Sequence, residues 1–206
     1  MKVFFPFLFY LLTSNLDAQD YTPVMKSWNN RRISKIQLHS YKSFSSKLEN
    51  DIVLYTNLVR SNSKLFLKTI LIPYLLYKGD TIPDRYINSL IYDLNHMSRL
   101  NLLENSEELT LMAREYSKYA GQKGIEGHEN FNGRFEKLEK AGKTVGENCS
   151  YGEEKAIDIF MQLLIYRAVP NLGHRKNILS KNFKFIGVGF SNHIRYRFNA
   201  VIEFSN

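Results

Sequence analysis

The chain has 206 residues, and its 28 Lys and Arg against 20 Asp and Glu give a formal net charge of +8. The basic residues are scattered rather than gathered in a dense block. The charge therefore does not indicate a nucleic-acid partner and favours at most a weak attraction to anionic lipid or acidic envelope polymers. A single cysteine, Cys149, excludes an internal disulfide, so the core alone must hold the fold.

The first residues have the pattern of a secretory signal. Lys2 gives a positive start, residues 3–12 are apolar, and Ala18 precedes the expected cleavage point. A membrane anchor is the alternative, but the apolar run is shorter than the roughly 20 residues needed to span a bilayer. We therefore expect residues 1–18 to be a signal peptide.

Residues 19–47 form a polar segment between this signal and the first clear helical pattern. They show little hydrophobic periodicity, so we interpret them as a mobile leader with one packed turn around Trp28. The remaining residues, 48–206, have a length that suits one domain with a sizeable core.

Apolar residues recur at helical spacing along much of the chain from residue 48 onward. The first such pattern runs from Leu48 to Val59, and further helices are expected over 65–76, 83–95, 106–122 and 153–166. Ser106 suits the cap of the clearest of them. A short helix within 131–138 carries basic and acidic residues, which we expect to form a solvated face.

The C-terminal part of the chain is strand-like. We expect a short strand within 142–152, a run over 183–190, a turn at 191–193 and a return strand over 195–204. Apolar and polar residues alternate in the return strand, which predicts that Asn199 and Glu203 lie on its solvated face. Helices followed by an antiparallel hairpin indicate an α+β domain with helices layered against a sheet.

Three short segments each place an ionisable side chain beside a glycine: His128 in GHEN, Glu147 in GENCSYG and His174 in GHRKNIL. These side chains are costly to bury, and glycine lets the backbone turn sharply next to them. Two imidazoles and a carboxylate can share a proton or hold a metal ion. The segments therefore predict a single polar cleft.

Each candidate also has a purely structural interpretation. His128 could be an ordinary surface histidine in a loop, and His174 could lie near the end of the preceding helix, where a cation is favoured. Cys149 is interpreted as a buried, unreactive thiol rather than a nucleophile. The other histidines are expected at the surface: His39, His96 and His193.

Three motifs together resemble a known family. They are Gly146-Glu147-Asn148, the segment GHRKNIL at 173–179, and IGVG at 186–189. They resemble the CAP superfamily (cysteine-rich secretory proteins, antigen 5 and pathogenesis-related 1 proteins) in its cysteine-poor bacterial form. The resemblance is clearest over 83–206, and we extend the domain to 48–206. It implies a three-layer α-β-α sandwich with a central antiparallel sheet and a broad surface cleft.

In this family two histidines and two acidic residues line the cleft. The resemblance assigns the histidines to His128 and His174 and the first acid to Glu147. The second acid should end the helix before GHRKNIL, where this chain has Tyr166. A phenol stays neutral near pH 7. The expected cleft is therefore His128, Glu147, Tyr166 and His174, with one carboxylate missing.

A divalent cation is one expected ligand of this cleft. Zinc accepts neutral histidine nitrogen, so we expect weak, reversible binding of zinc or another divalent cation at His128 and His174, although no cofactor is required. The chain has no His-Glu-x-x-His segment that would fix two ligands on one helix.

We expect a non-catalytic binding module that is secreted or periplasmic. The resemblance implies lipid or sterol binding, or contact with an envelope or extracellular partner, and the basic charge allows peripheral membrane contact. An apolar groove near residues 70–76 would favour lipid. The alternative is a metal-assisted hydrolase with Glu147 or His174 as its base, but no Ser or Cys stands in a recognisable nucleophile motif.

Overall fold

A computed structural model describes residues 25–80, 82–167 and 171–206. The expected signal peptide, residues 1–18, and the start of the leader lie outside these residues. Within the described ranges, no helix is both long enough and apolar enough to cross a bilayer.

The described part of the leader contains a packed helix, which corrects the prediction of a mobile segment. Helix α1 spans Asn30–Ser40, and the side chain of Asn29 caps it by accepting a hydrogen bond from the Arg32 N–H. Trp28 and Ile36 are buried. The sequence pattern missed this helix because only one short stripe of apolar residues faces the core, among many polar ones.

The expected helices of the next segment are confirmed. Helix α2 spans Lys47–Ser61 and begins with a capping box in which the side chains of Ser46 and Glu49 bond each other's backbone N–H. A nearly continuous helical stretch then follows, made of α3 (Ser63–Phe66), a π-helical turn (Leu67–Leu71) and α4 (Ile72–Tyr77). Helix α5 spans Arg85–His96 and is capped by Asp84.

Four strands form one sheet in the order β1-β3-β4-β2. Their bounds are β1 Glu104–Asn105, β2 Val145–Tyr151, β3 Phe185–His193 and β4 Arg197–Ser205. The pairs β3–β4 and β4–β2 are antiparallel, as expected, whereas the two-residue β1 pairs with β3 in parallel. The sheet is therefore mixed at one edge and antiparallel elsewhere.

Helices cover both faces of this sheet, which gives the three layers that the resemblance implies. One face packs against a large apolar core to which α1–α5, α8 (Ala156–Ile165) and α9 (Gly173–Ile178) contribute. The other face packs against α6 (Glu107–Lys123), with α7 (Phe131–Lys140) beside β2. The fold is an α+β sandwich of the type α-β-α.

The IGVG motif explains how closely α6 lies on the sheet. A Cβ atom on Gly187 would lie 2.2 Å from the backbone carbonyl carbon of Leu109, and one on Gly189 would lie 2.3 Å from that of Ala113. Only glycine fits at such distances. The alternating residues Ile186 and Val188 point into the apolar core on the opposite face.

Two details of the C-terminal hairpin differ from the sequence prediction. Residues 191–193 continue β3 instead of turning, and His193 is buried rather than at the surface. Its Nδ1 accepts hydrogen bonds from the N–H groups of Arg195 and Tyr196, which places the turn at 194–196. Asn199 and Glu203, which were predicted to face solvent on β4, are also buried, since helix α6 packs on this strand. Arg197, at the start of the same strand, is exposed as predicted.

Candidate functional site

A cleft of about 950 Å³ opens beside β2 and α8. His128, Tyr166 and His174 line it, as does Cys149. Glu147 lies beneath, with a side chain that is inaccessible to solvent, and bonds His128 from below. The four residues predicted for the cleft are therefore brought together by the fold, although they come from separate parts of the chain.

His128 is positioned by a loop that is held on both sides. Gly127 precedes it with a φ of 94°, a backbone conformation that favours glycine. The hydroxyl of Tyr116 donates to the carbonyl of Gly127 at 2.8 Å, and the N–H of Gly127 donates to the hydroxyl of Tyr151 at 2.8 Å. The imidazole of His128 is half exposed, at 45%.

The ring contacts define the geometry of the cleft. Nδ1 of His128 lies 2.8 Å from Oε1 of Glu147. The ring centroids of His128 and His174 are 6.1 Å apart, and that of Tyr166 stacks on His174 at 3.9 Å. The two imidazoles thus lie edge to face, with an angle of 77° between their planes. Glu147 bonds the ring of His128, and the phenol ring of Tyr166 stacks on that of His174.

Glu147 is held by a guanidinium that the sequence analysis placed on a solvated face of α7. Nη1 of Arg134 lies 2.5 Å from Oε2 of Glu147, and Nη2 lies 2.9 Å from Oε1. The same guanidinium lies 3.6 Å from the ring centroid of Tyr116. Burial alone would raise the pKa of Glu147, but the hydrogen bonds from His128 and Arg134 outweigh it and lower the pKa. Glu147 is therefore a bound, charged group.

A second buried carboxylate, Glu203, lies directly opposite Glu147 on β4. It contacts Arg134 at 3.3 Å through Oε1, while its Oε2 has no hydrogen-bond partner within the described residues. Burial, followed by the charge of Glu147, raises the pKa of Glu203 to about 8. Glu203 is protonated at neutral pH.

Sequence reasoning missed Glu203 because it assumed that the polar positions of β4 face water. The strand itself gives no signal of this burial, because Glu203 alternates with Ile202 and Phe204 as a solvated residue would. Pairing that strand with β2 would have placed it opposite Glu147.

His174 lies at the start of α9, not near the end of a preceding helix. A cation is unfavourable at a helix N-terminus, so the structural interpretation offered for His174 does not apply. Burial and the neighbouring His128 lower its pKa to about 4. His174 is neutral at pH 7, and its Nδ1 is buried without a hydrogen bond to any described residue.

Polar residues of the Gly-Glu-Asn and GHRKNIL motifs connect β2 to α9 around His174. The side-chain amide of Asn148 donates to the carbonyl of His174 at 3.1 Å, and the amide of Asn177 donates to Oδ1 of Asn148 at 2.8 Å. Arg175 is buried and donates to the carbonyls of Leu164 and Ile165 at the end of α8, each at 2.9 Å. These residues hold the cleft together rather than line it.

Tyr166 occupies the position of the missing acid. It ends α8 in the left-handed conformation, with a φ of 51°, which directs the chain away from the helix. Burial raises its pKa, so the phenol is neutral. Glu153 also lines the cleft, and burial followed by the charge of Asp158 raises its pKa.

Cys149 has the environment of a core residue. It packs with Ala113 and Val201, its Sγ donates to the carbonyl of Gly127 at 3.3 Å, and burial raises its pKa well above the ordinary value. Ligand atoms of His128, Glu147 and Cys149 lie within 4.8 Å of one another, a spacing that a metal ion could bridge. Because the thiol is protonated and Glu147 is bound to Arg134, His128 is the best metal donor of these three residues. His174 adds a second imidazole to the same cleft.

Comparisons with known proteins found solved structures that are similar to part of the chain. Solved structures that resemble the chain include an outer surface protein of Borrelia burgdorferi, with 21% identity over 59% of this chain and 88% of that one, and a TM-score of 0.44. A cysteine-rich secretory protein of Staphylococcus aureus has 17% identity over 59% of this chain and 38% of that one, with a TM-score of 0.38. An extracellular protein with an SCP domain from Bacillus anthracis has 22% identity over 58% of this chain and 38% of that one, with a TM-score of 0.40. The chain spans well under half the length of the last two.

No significant match was found among curated protein sequences. The model of the cysteine-rich secretory protein family, CAP, matches residues 53–204, which is more than half of the chain and contains every residue of the cleft. The chain therefore belongs to the CAP family.

Proposed function

We propose that the protein is an exported binding module whose cleft holds a divalent cation weakly and reversibly through His128 and His174. The observation that carries this proposal is the pair of imidazoles with centroids 6.1 Å apart. His174 is neutral at pH 7 because its pKa is lowered to about 4, and neutral imidazole is the form that binds zinc.

The surroundings of His128 also suit a metal ligand. Its Nδ1 is engaged by the carboxylate of Glu147 at 2.8 Å, which leaves Nε2 for an ion. Metal-binding histidines commonly have their other nitrogen bonded to a carboxylate, which orients the ring. A bound zinc ion would supply Lewis acidity to water or a ligand carbonyl.

The same contacts weigh against the metal-assisted hydrolase. A general base must be free to take a proton, but Glu147 is buried, holds two hydrogen bonds from Arg134, and has a lowered pKa. Cys149 is buried with a raised pKa, so it is a poor nucleophile. Binding is therefore the function that the site supports best.

Export and a lipid-like ligand complete the proposal. The signal pattern of residues 1–18 and the description of the family as secretory support export. A cleft of about 950 Å³ matches the upper size range of small-molecule sites, and the apolar side chains of Met161, Leu163 and Ile165 contribute to its lining. An apolar groove near residues 70–76, which would have favoured lipid, does not add to this support, since Ile70 and Leu71 lie in the core.

Calorimetric titration with zinc tests the metal proposal. We expect saturable binding by the wild-type chain and no measurable binding by the double variant His128→Ala, His174→Ala. The matched control is His96→Ala, which removes an exposed histidine outside the cleft. An unchanged affinity in the double variant would rule out the histidine pair.

An activity assay separates the two functions. A hydrolase would turn over ester or peptide substrates in the presence of zinc and lose that activity in Glu147→Gln. We expect no turnover above the buffer rate in either protein. Zinc-dependent turnover that Glu147→Gln abolishes would overturn the non-catalytic assignment.

A further inference from the structure

The net charge of the chain is concentrated in one segment. Residues 21–79 contain ten Lys and Arg but only two acidic residues, Glu49 and Asp51, so they carry a net charge of +8. Residues 80–206 contain 17 basic and 16 acidic residues and are nearly neutral. The basic character of the protein therefore belongs to α1–α4 and the segments next to them.

Both acidic residues of this segment are already paired. Glu49 is bound by Arg114, at 2.8 Å through Nε and 2.5 Å through Nη2, and Asp51 by Lys47 at 2.6 Å. Six basic side chains that are exposed or half-exposed have no ion pair with any described residue: Lys26, Arg31, Arg32, Lys35, Lys64 and Lys68. Their charge is available to a partner.

The fold brings together two sets of these basic side chains, one at the start of α1 and one on α3 and the π-helical turn. Nε1 of Trp28 donates to Oγ1 of Thr69 at 3.0 Å, which fixes the start of α1 against the π-helical turn. Lys26 and Arg31 lie two and three residues from Trp28, and Lys68 is next to Thr69. The contact therefore places the basic start of α1 beside the lysines of α3 and the π-helical turn.

Apolar side chains extend this basic surface. Lys64, Lys68, Ile72 and Leu76 follow one another at intervals of four residues along the helical stretch 63–77, and all four are exposed. Residues four apart share one side of a helix. The exposed fractions of Ile72 and Leu76 are 42% and 61%, large for apolar side chains. We call this surface the basic–apolar face: Lys26, Arg31, Lys64, Lys68, Ile72 and Leu76.

We propose that the basic–apolar face docks on an anionic lipid bilayer. Lysine and arginine are attracted to anionic headgroups, and exposed aliphatic side chains gain free energy when they enter the interface between headgroups and acyl chains. A soluble acidic polymer would satisfy the charges but leave Ile72 and Leu76 in water. The combination of both features on one helix favours the lipid surface.

This surface is distinct from the cleft, but α4 connects them. Tyr74 and Lys78 line the cleft, whereas Ile72 and Leu76 face outward from the same stretch of helix. Docking would hold one wall of the cleft close to the bilayer. The proposal does not depend on metal binding by the histidines.

Sedimentation with lipid vesicles tests the proposal. We expect the full chain to bind vesicles that contain about 30% phosphatidylglycerol in phosphatidylcholine more tightly than phosphatidylcholine vesicles, with a difference that salt reduces. Each basic residue near an anionic surface contributes roughly fivefold to partitioning. The variant Lys64→Gln, Lys68→Gln should therefore bind about 25-fold more weakly.

The double variant Ile72→Ser, Leu76→Ser tests the apolar part of the basic–apolar face. It should lower partitioning into vesicles at least about tenfold, since burial of one aliphatic side chain contributes more than a factor of ten to the partition coefficient. The matched control, Lys118→Gln, Lys137→Gln, removes two exposed lysines from α6 and α7 on the other side of the sheet and should remain within about twofold of the wild type. All variants carry the same N-terminal segment, so their differences report on the substituted residues.

Two results would overturn the proposal. Equal loss in the control and the Lys64, Lys68 variant would show that the attraction is general rather than located on this face. Unchanged vesicle binding by Ile72→Ser, Leu76→Ser, together with wild-type retention on immobilised polyphosphate, would assign the face to an acidic polymer. Thermal unfolding of each variant confirms that a loss of binding is not a loss of fold.

Discussion

The two faces of the sheet are built in different ways. One packs against a broad apolar core that draws on most of the helices and includes Phe160, Phe66 and Tyr55. The other has a small apolar cluster under α6 and, beside it, the buried charged group of Arg134, Glu147 and Glu203. The large apolar core and the buried Arg134, Glu147 and Glu203 therefore lie on opposite sides of the same strands. The cleft draws on both sides, because Tyr166 and His174 come from α8 and α9, which pack on the apolar side.

The charged group itself contains a second contrast. Glu147 and Glu203 are both buried and lie opposite each other on β2 and β4. Glu147 receives bonds from His128 and both Nη atoms of Arg134, whereas Glu203 has one contact at 3.3 Å. The number of hydrogen bonds to each carboxylate decides which one is charged.

The largest effect on stability is expected on the apolar face. Phe160→Ala removes a fully buried ring that packs on Tyr55 and Phe66, and it should lower the free energy of unfolding by about 4 kcal/mol. Zinc affinity of the folded protein should not change. Chemical denaturation measures the first quantity and calorimetry the second. The control Leu111→Ala alters an exposed side chain and should cost well under 1 kcal/mol.

On the charged face, one substitution should lower both the free energy of unfolding and the affinity for zinc. Arg134→Met leaves Glu147 without its guanidinium, so it should cost about 3 kcal/mol of unfolding free energy. It should also weaken zinc binding about tenfold, because Glu147, the partner of His128, is no longer held in place. The matched control is Arg197→Met, whose ion pair with Glu154 is exposed. Unchanged zinc affinity in Arg134→Met would show that Arg134 has no influence on metal binding in the cleft.

The pH dependence of stability should report on Glu203. Its pKa is raised to about 8 in the folded protein, against about 4.3 in an unfolded chain, so the unfolded state binds fewer protons between these values and stability falls as pH rises. His174, with its pKa lowered to about 4, acts in the opposite direction only below about pH 6.5. The window from pH 6.5 to 8 therefore belongs to Glu203.

In that window the wild-type chain should lose about 1 to 2 kcal/mol of stability, and Glu203→Gln should lose much less. Urea denaturation at several pH values measures how the free energy of unfolding changes with pH in each protein. Glu147, Arg134 and Glu115 are the charged groups that act on Glu203. Parallel slopes in the two proteins would show that Glu203 is already ionised at neutral pH.

The smallest expected effect concerns Tyr166, which stands where the family resemblance implies an acidic residue. Tyr166→Glu restores a carboxylate beside His174 and should raise the pKa of that imidazole above its present value of about 4, with a change in stability of about 1 kcal/mol or less. NMR titration of the His174 ring measures the pKa. Tyr166→Phe, which keeps the stacked ring, should leave it near 4.

The sequence pattern predicted most helices because their apolar stripes are long. It missed α1, whose buried side consists of few residues, and it placed the hairpin turn too early because the burial of His193 depends on a contact with the carbonyl of Ile125. The three glycine-flanked segments pointed to His128, Glu147 and His174, and the family resemblance added Tyr166 as the fourth position of the cleft. Arg134 and Glu203 could not be found in this way, since their roles arise from strand pairing and from α7 lying against β2.

The proposed function depends most on where a cation binds. Crystals grown with zinc and measured at the zinc absorption edge should show an ion within about 2.2 Å of a ring nitrogen of both His128 and His174, with Glu147 still bound to Arg134. An ion held instead by Glu147 and Cys149, or no ion in the cleft at saturating zinc, would contradict it.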